Sequence, residues 1–259
     1  MTKAAAFFDL DKTIIATSAS AALSRPFYDG GLVGRMDVLK SAYAHFLFTI
    51  SSADAEQTER MRKHLSELVA GWEVDKVREI VTDTVREVID PFVYQEAVDL
   101  IAEHHELGHD VVIVSASGVE LVEPIAAMLG ADDTIATRMA IEDGKYTGEI
   151  EFYNYGENKA IAIKELAERR GYNLARCYAY TDSITDAPML DTVGHGFAVN
   201  PDRAMRKIAA ERGWGALTFM RPVALQPPRP PKPVLAALAA LACAAVGYAL
   251  GRAVKARRR

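Results

Sequence analysis

The chain has 259 residues, half of them hydrophobic and a quarter charged, which suits one large or two small globular domains and excludes a disordered, collagenous or coiled-coil plan. Two cysteines exclude a disulfide framework. The net charge of −5 conceals a split: residues 221–259 carry eight Lys/Arg and no Asp/Glu, leaving 22 basic against 35 acidic side chains before them, and so acidic a body excludes general nucleic-acid binding.

The first predicted strand, residues 4–9, opens the stretch FFDLDKT. Asp9 and Asp11 lie two apart, so an extended backbone points both side chains the same way at the carboxyl end of a buried strand. One carboxylate can then attack while the other moves protons, or both can hold a divalent cation; an Asp-rich turn gives the same spacing. Helical patterns follow over 36–49, 53–69 and 74–88, punctuated by Gly30, Gly31 and Gly71. They predict a helical insertion of roughly 75 residues standing over the sheet edge where ligands bind. His104, His105 and His109 in HHELGH fall at a helix end and loop, away from that edge, and read as solvated or capping.

The second predicted strand, 110–115, ends VVIVSAS. Ser115, with Ala116, Ser117 and Gly118 leading into a helix over 119–129, offers a hydroxyl and backbone N–H groups as an anion cradle, or else an ordinary N-cap serine. Lys159 falls in the first turn of a helix over 158–170, against the helix dipole; read alone it is a solvated surface lysine. A strand over 177–182 closes on Asp182, with Asp186 four residues on. Acids at several strand ends on one sheet edge repel one another unless a cation holds them, and all-oxygen ligation suits Mg²⁺. A strand over 196–199 and a helix over 202–211 complete the alternation, which predicts an α/β, doubly wound, Rossmann-like parallel sheet.

The tail differs in kind. QPPRPPKP at 226–233 predicts an extended spacer, and residues 233–251 are uncharged and rich in Ala and Leu. Nineteen helical residues rise about 28 Å, close to the ~30 Å hydrocarbon core, so 234–251 is expected to be a transmembrane anchor. Three basic residues precede it and five follow, which by positive-inside counting places the C-terminus in the cytoplasm. A single span would then place the body outside; against that, the N-terminus lacks an apolar leader and Cys177 and Cys243 are unsuited to pairing, and these two features argue instead for a cytoplasmic body on a C-terminal anchor. Gly247 and Gly251 form a GxxxG pair, a weak signal for oligomerisation through the anchor.

The order DLDKT, VSAS, ENK and YTDSITDAPML resembles the haloacid dehalogenase superfamily of phosphohydrolases, and within it the phosphoserine-phosphatase-like branch with a helical cap after the first strand. The likeness extends over roughly residues 4–220 and takes in TRMAIEDGKYTGEI as a hairpin-like segment. It implies a catalytic core at 1–15 and 90–220 and a cap at 16–89, to which the composition of the tail adds a Pro-rich linker at 221–233, the anchor at 234–251 and a basic tail at 252–259. It also implies that Asp9 is the nucleophile and Asp11 the general acid and base. Mg²⁺ would sit on the Asp9 and Asp182 carboxylates and the Asp11 main-chain carbonyl. Ser115, Ala116 and Lys159 would hold the substrate phosphate, Asp186 would support the metal's water shell, and Thr13 would brace the loop.

Two departures bear on specificity. Phosphoserine enzymes are expected to carry a glutamate early in the cap, whereas ATSASAAL has Ser18 and Ser20 and no acid between Asp11 and Asp29. Thr181 and Thr185 stand where Gly and Asn are usual. The expected activity is Mg²⁺-dependent hydrolysis of an organic phosphate monoester, membrane-associated by virtue of the anchor. The alternatives are a phosphatase of a soluble, phosphoserine-like metabolite that is merely tethered, and a non-catalytic membrane-anchored scaffold.

Overall fold

Residues 5–8 are apolar and buried on both faces, which makes β1 (Ala5–Phe8) the middle of a sheet rather than its edge. The computed structural model describes residues 3–32, 63, 66–220 and 222. The chain divides into Met1–Leu225 and Gln226–Arg259; the second unit lies outside the described residues. So do the predicted anchor, the Gly247/Gly251 pair, the helix predicted at 36–49 and most of that at 53–69. Among the described residues no helix is long and apolar enough to cross a membrane.

Seven strands form one sheet: β1, β2 (Asp110–Gly118), β3 (Asp133–Glu142), β4 (Lys145–Phe152), β5 (Tyr178–Thr181), β6 (His195–Val199) and β7 (Gly215–Leu217). Their order is β4-β3-β2-β1-β5-β6-β7. β1 pairs in parallel with β2 through Ala5↔Asp110 to Phe8↔Ile113, and with β5 through Ala6↔Tyr178 to Phe8↔Tyr180. The chain therefore runs outward from β1 through β2 and β3, then returns to the other side of β1 for β5. Ligands of open α/β sheets bind at such a reversal, outside the carboxyl ends of the strands. The parallel sheet carries one antiparallel edge strand, in the segment read as hairpin-like. β4 runs antiparallel to β3, because Asp143 and Gly144, with φ of 49° and 74°, form a two-residue hairpin turn that no parallel crossover can use.

Alternation along the strands sorts the core into two layers. Ala6, Phe8, Val111 and Ile113 face one layer; Ala5, Phe7, Val112 and Val114 face the other. The first is covered by α3 (Val74–Val88), α4 (Gln95–Glu106) and α5 (Val119–Leu129), the second by α6 (Glu157–Arg170), α7 (Ala187–Thr192) and α8 (Arg203–Arg212). In α3 the buried residues are Val74, Val77, Val81 and Val85, one stripe at helical spacing. Asp202 caps α8 by accepting from the Met205 N–H at 2.7 Å.

Between β1 and β2 the described insertion includes α1 (Ala19–Ala22), α2 (Ser24–Asp29) and α3. Its entry and exit run side by side: Ile15 bridges Val93, and the Ala16 N–H donates to the Phe92 carbonyl at 2.8 Å.

His104 corrects the solvated reading. It is 3% exposed, on the sheet-facing side of α4, among the rings of Phe8, Tyr178 and Tyr180. Its Nε2 lies 2.8 Å from Tyr180 Oη and its Nδ1 3.0 Å from His109 Nδ1. Burial, with His109 and His105 nearby, pushes it down from 6.5 to about 4. The unfolded chain thus takes up a proton that the native state refuses, so stability falls as pH drops from 6.5 towards 4. Urea unfolding of wild type should lose about 2 kcal/mol more between pH 7 and 5 than that of His104→Phe, which keeps the ring without the titration. Parallel pH slopes for the two proteins would refute it.

Candidate active site

Stretches of chain far apart in sequence meet at the carboxyl ends of β1, β2 and β5. Asp9 follows β1 directly, and its N–H donates to the Tyr180 carbonyl at 2.9 Å. Both oxygens of its buried carboxyl are engaged: Lys159 Nζ donates to Oδ1 at 2.6 Å and Thr13 Oγ1 to Oδ2 at 3.1 Å. Lys159 also donates to Asp186 Oδ2 at 2.7 Å, and Thr181 Oγ1 donates to the same oxygen at 2.8 Å. Thr13 accepts from the Asp182 N–H at 3.0 Å, and its Oγ1 lies 3.5 Å from Asp182 Oδ1. One buried threonine thus ties the end of β1 to the end of β5.

Lys159 is 2% exposed, so the solvated-lysine reading is corrected. Gly156, at φ 56° and ψ −122°, turns the chain into α6, and Lys159 enters the sheet edge from the helix's first turn. There two carboxylates offset the loss of water. Burial alone would lower the ammonium, but Asp9 and Asp186 hold it above its ordinary range. For Asp9 the balance runs the other way. Burial raises it, Lys159 pulls it back, and Asp186 and Asp182 push it further up. Asp182 is pushed up to about 6, by burial first and by Asp186 in addition. Asp9, Asp182 and Asp186 thus crowd around one buried ammonium, and burial and mutual repulsion make Asp9 and Asp182 harder to ionise.

Asp11 is set by a loop rather than by strand pleating, because the strand ends at Phe8 and Lys12 takes a positive φ of 61°. Its Oδ1 accepts from the Ala19 N–H, at the start of α1, at 2.8 Å. Its Oδ2 accepts from Ser117 Oγ at 3.3 Å. Burial raises this carboxyl too, against the pull of those two donors.

Ser115 is not an N-cap: Gly118 holds that position before α5, without a side-chain cap. Instead Ser115 is 1% exposed and its Oγ accepts from the Ser117 N–H at 3.1 Å. Register with β3 shifts between Ser115 and Gly118, so the chain bulges there. Two buried side chains brace the bulge. Thr137 Oγ1 donates to the Ala116 carbonyl at 2.7 Å and accepts from the Asn154 N–H at 3.1 Å. Asn154 Nδ2 donates to the Ser115 and Ile135 carbonyls at 2.9 and 2.8 Å. Neither is evident in the sequence, where the one signal is a polar Asn between two tyrosines just ahead of Lys159. A hollow of about 300 Å³ lined by His195, Arg212 and Trp214 lies at the other end of the sheet and includes none of these groups.

A family model described as haloacid dehalogenase-like hydrolase matches residues 6–191. A probable phosphatase of Mycobacterium tuberculosis (strain ATCC 25618 / H37Rv) is 58% identical over 86% of this chain and 78% of its own length. An inhibition of morphological differentiation protein of Streptomyces azureus is 53% identical over 97% of this chain and 91% of its own. The phosphoserine phosphatase SerB1 of M. tuberculosis is 32% identical over 82% and 69%. Among solved structures, a protein of unknown function from Bordetella pertussis Tohama I superposes with a TM-score of 0.73 at 27% identity, covering 84% of this chain and 99% of that one. A phospho-aspartyl intermediate analogue of a phosphoserine phosphatase gives 0.61 at 22%, covering 85% and 95%, a likeness of fold.

Proposed function

The chain belongs to the haloacid dehalogenase-like hydrolase family, as a phosphoric monoester hydrolase, and from that premise we propose that it works with Mg²⁺ through a phosphorylated Asp9. The observation that carries this reading is the bond from Lys159 to both Asp9 and Asp186, at 2.6 and 2.7 Å, within a cluster that Thr13 extends to Asp182.

The donors fit the metal. Asp9 and Asp182 offer carboxylates and Asp11 its main-chain carbonyl, a hard all-oxygen set. Among the described residues no group of three His, Cys, Asp or Glu side chains is placed to hold a metal ion, so the proposed set rests on two carboxylates and a main-chain carbonyl. Bound there, Mg²⁺ would offset the repulsion among the carboxylates and polarise the phosphoryl oxygens. The residues do the rest. The Asp9 carboxylate attacks phosphorus while the bond to the leaving oxygen breaks, and Asp11 gives that oxygen its proton. Asp11, now a carboxylate, takes a proton from the water that attacks the phosphoryl group, freeing phosphate and restoring Asp9. Lys159, the Ser115 hydroxyl and the Ala116 N–H hold the non-transferred oxygens.

The leaving group we propose is uncharged or anionic rather than an amino acid. Between Asp11 and Asp29 the chain presents Ser18 and Ser20, whose hydroxyls lie 2.8 Å apart, and no carboxylate to pair with an ammonium. The basic tail and the apolar segment 234–251 support a substrate met at a membrane, with the body on the cytoplasmic face. Phosphate release from aryl, amino-acid, sugar, headgroup and lipid monophosphates, in MgCl₂ and in EDTA, tests each part. Release in MgCl₂, lost in EDTA and fastest on vesicle-borne esters, is the expected result. Release from phosphoserine above all others would overturn the leaving-group assignment, equal rates on soluble esters would overturn the membrane assignment, and no release at all would leave a scaffold.

A further inference from the structure

Asp11 meets two donors of different kinds, and the difference decides where its proton sits. Oδ1 accepts from the Ala19 N–H at 2.8 Å, and a backbone N–H can only donate. A carbonyl oxygen accepts more strongly than a protonated one, so this bond favours Oδ1 as the carbonyl oxygen of protonated Asp11 and Oδ2 as the bearer of its hydrogen. Ser117 Oγ lies 3.3 Å from that same Oδ2. A hydroxyl both donates and accepts, so Ser117 can meet Oδ2 in either protonation state. We infer that the Ser117 side chain is a positioning residue for the general acid, steering the working oxygen of Asp11 towards the leaving group and donating to it once its proton has gone. This rests on the phosphatase reading and adds to it a role for a side chain that the cradle does not require.

The structure gives Ser117 two separable links. Its N–H donates to Ser115 Oγ at 3.1 Å, a backbone contact that any residue except proline supplies. Only its hydroxyl reaches Asp11. Removing the hydroxyl therefore leaves the backbone link to the cradle in place and loosens the acid.

The chemistry supplies a readout specific to that loss. In the first half-reaction the Asp9 oxygen forms a bond to phosphorus, the bond from phosphorus to the leaving oxygen breaks, and that oxygen takes the Oδ2 proton. An alkyl ester expels a strongly basic alkoxide and needs the proton; a 4-nitrophenyl ester expels a stabilised anion and scarcely needs it. kcat/KM reports this half-reaction alone, because release of the alcohol commits the enzyme. The donation to a nascent carboxylate is charge-assisted, so its loss should cost kcat/KM on an alkyl phosphate roughly tenfold to a hundredfold.

The test compares Ser117→Ala and Ser117→Thr with wild type on 4-nitrophenyl phosphate and on an alkyl phosphate, in MgCl₂. The expected result is that Ser117→Ala lowers the alkyl-to-aryl ratio of kcat/KM by about tenfold or more, and that Ser117→Thr, which keeps a hydroxyl, restores most of it. Because the ratio is taken on one preparation, any unfolded fraction cancels. Equal losses on both esters, with Thr no better than Ala, would overturn the inference while leaving the phosphatase reading intact. Wild type inactive on both esters would overturn the phosphatase reading and this inference with it.

Discussion

Asp9→Asn should retain the fold and lose phosphate release by a factor on the order of 10⁴ or more, the scale seen when a nucleophile is removed. An amide cannot attack phosphorus as a carboxylate does, while its size and hydrogen-bonding positions match. Asn Oδ1 can still accept from Lys159, and Asn Nδ2 can donate to Thr13, whose hydroxyl then turns to Asp182 Oδ1, 3.5 Å away. The substitution also removes a carboxylate that burial raises and that Asp186 and Asp182 repel. Against this, Lys159 keeps only Asp186 as an anionic partner. These effects oppose one another, so stability should change by no more than about 1–2 kcal/mol in either direction. Urea unfolding and phosphate release measured on the same preparation separate the two. A variant that unfolds like wild type and retains a tenth of its activity would remove Asp9 from the role of nucleophile.

What the sequence makes legible here follows from where each signal resides. β1, β2, β5 and β6 are readable because runs such as AAFF and VVIV are apolar on both faces, and only the inside of a parallel sheet buries both. β7 and α7, three and six residues long, are too short to show a period. The acids at the candidate site are readable because several of them fall at ends of such runs. Their partners are not. Ser117 reaches Asp11 across 106 positions, and Asn154 reaches Ser115 across 39, so nothing local announces either contact. Lys159 is an intermediate case: its place against the helix dipole marks it as odd, but only the fold turns an odd surface lysine into a buried one. His104 is the reverse, since a histidine next to another histidine at a helix end looks solvated until the rings of β1 and β5 close over it.

The same buried lysine yields the largest effect expected on stability. Lys159→Met keeps the length and apolar bulk of the side chain and removes the charge, so Asp9 and Asp186 stay buried without their shared cation. Breaking a buried ion pair from one side costs about 3–5 kcal/mol, and urea unfolding in EDTA should show a loss of that size. Two further measurements distinguish this cause from misfit of the methionine. Asp9→Asn in the Lys159→Met background should recover at least about 1 kcal/mol, because it removes one of the two buried carboxyls left without their cation; two groups in direct contact are expected to couple by that much. MgCl₂ should also narrow the gap to wild type, since a cation on Asp9 and Asp182 removes part of the same repulsion. Arg in place of Lys should not substitute, because a planar guanidinium does not fit between acceptors set at 2.6 and 2.7 Å from one nitrogen. If Lys159→Met unfolds as wild type does in EDTA, or if its deficit is the same with and without Asp9→Asn, then the charge balance inferred for this sheet edge is wrong, and Lys159 is held there by packing alone.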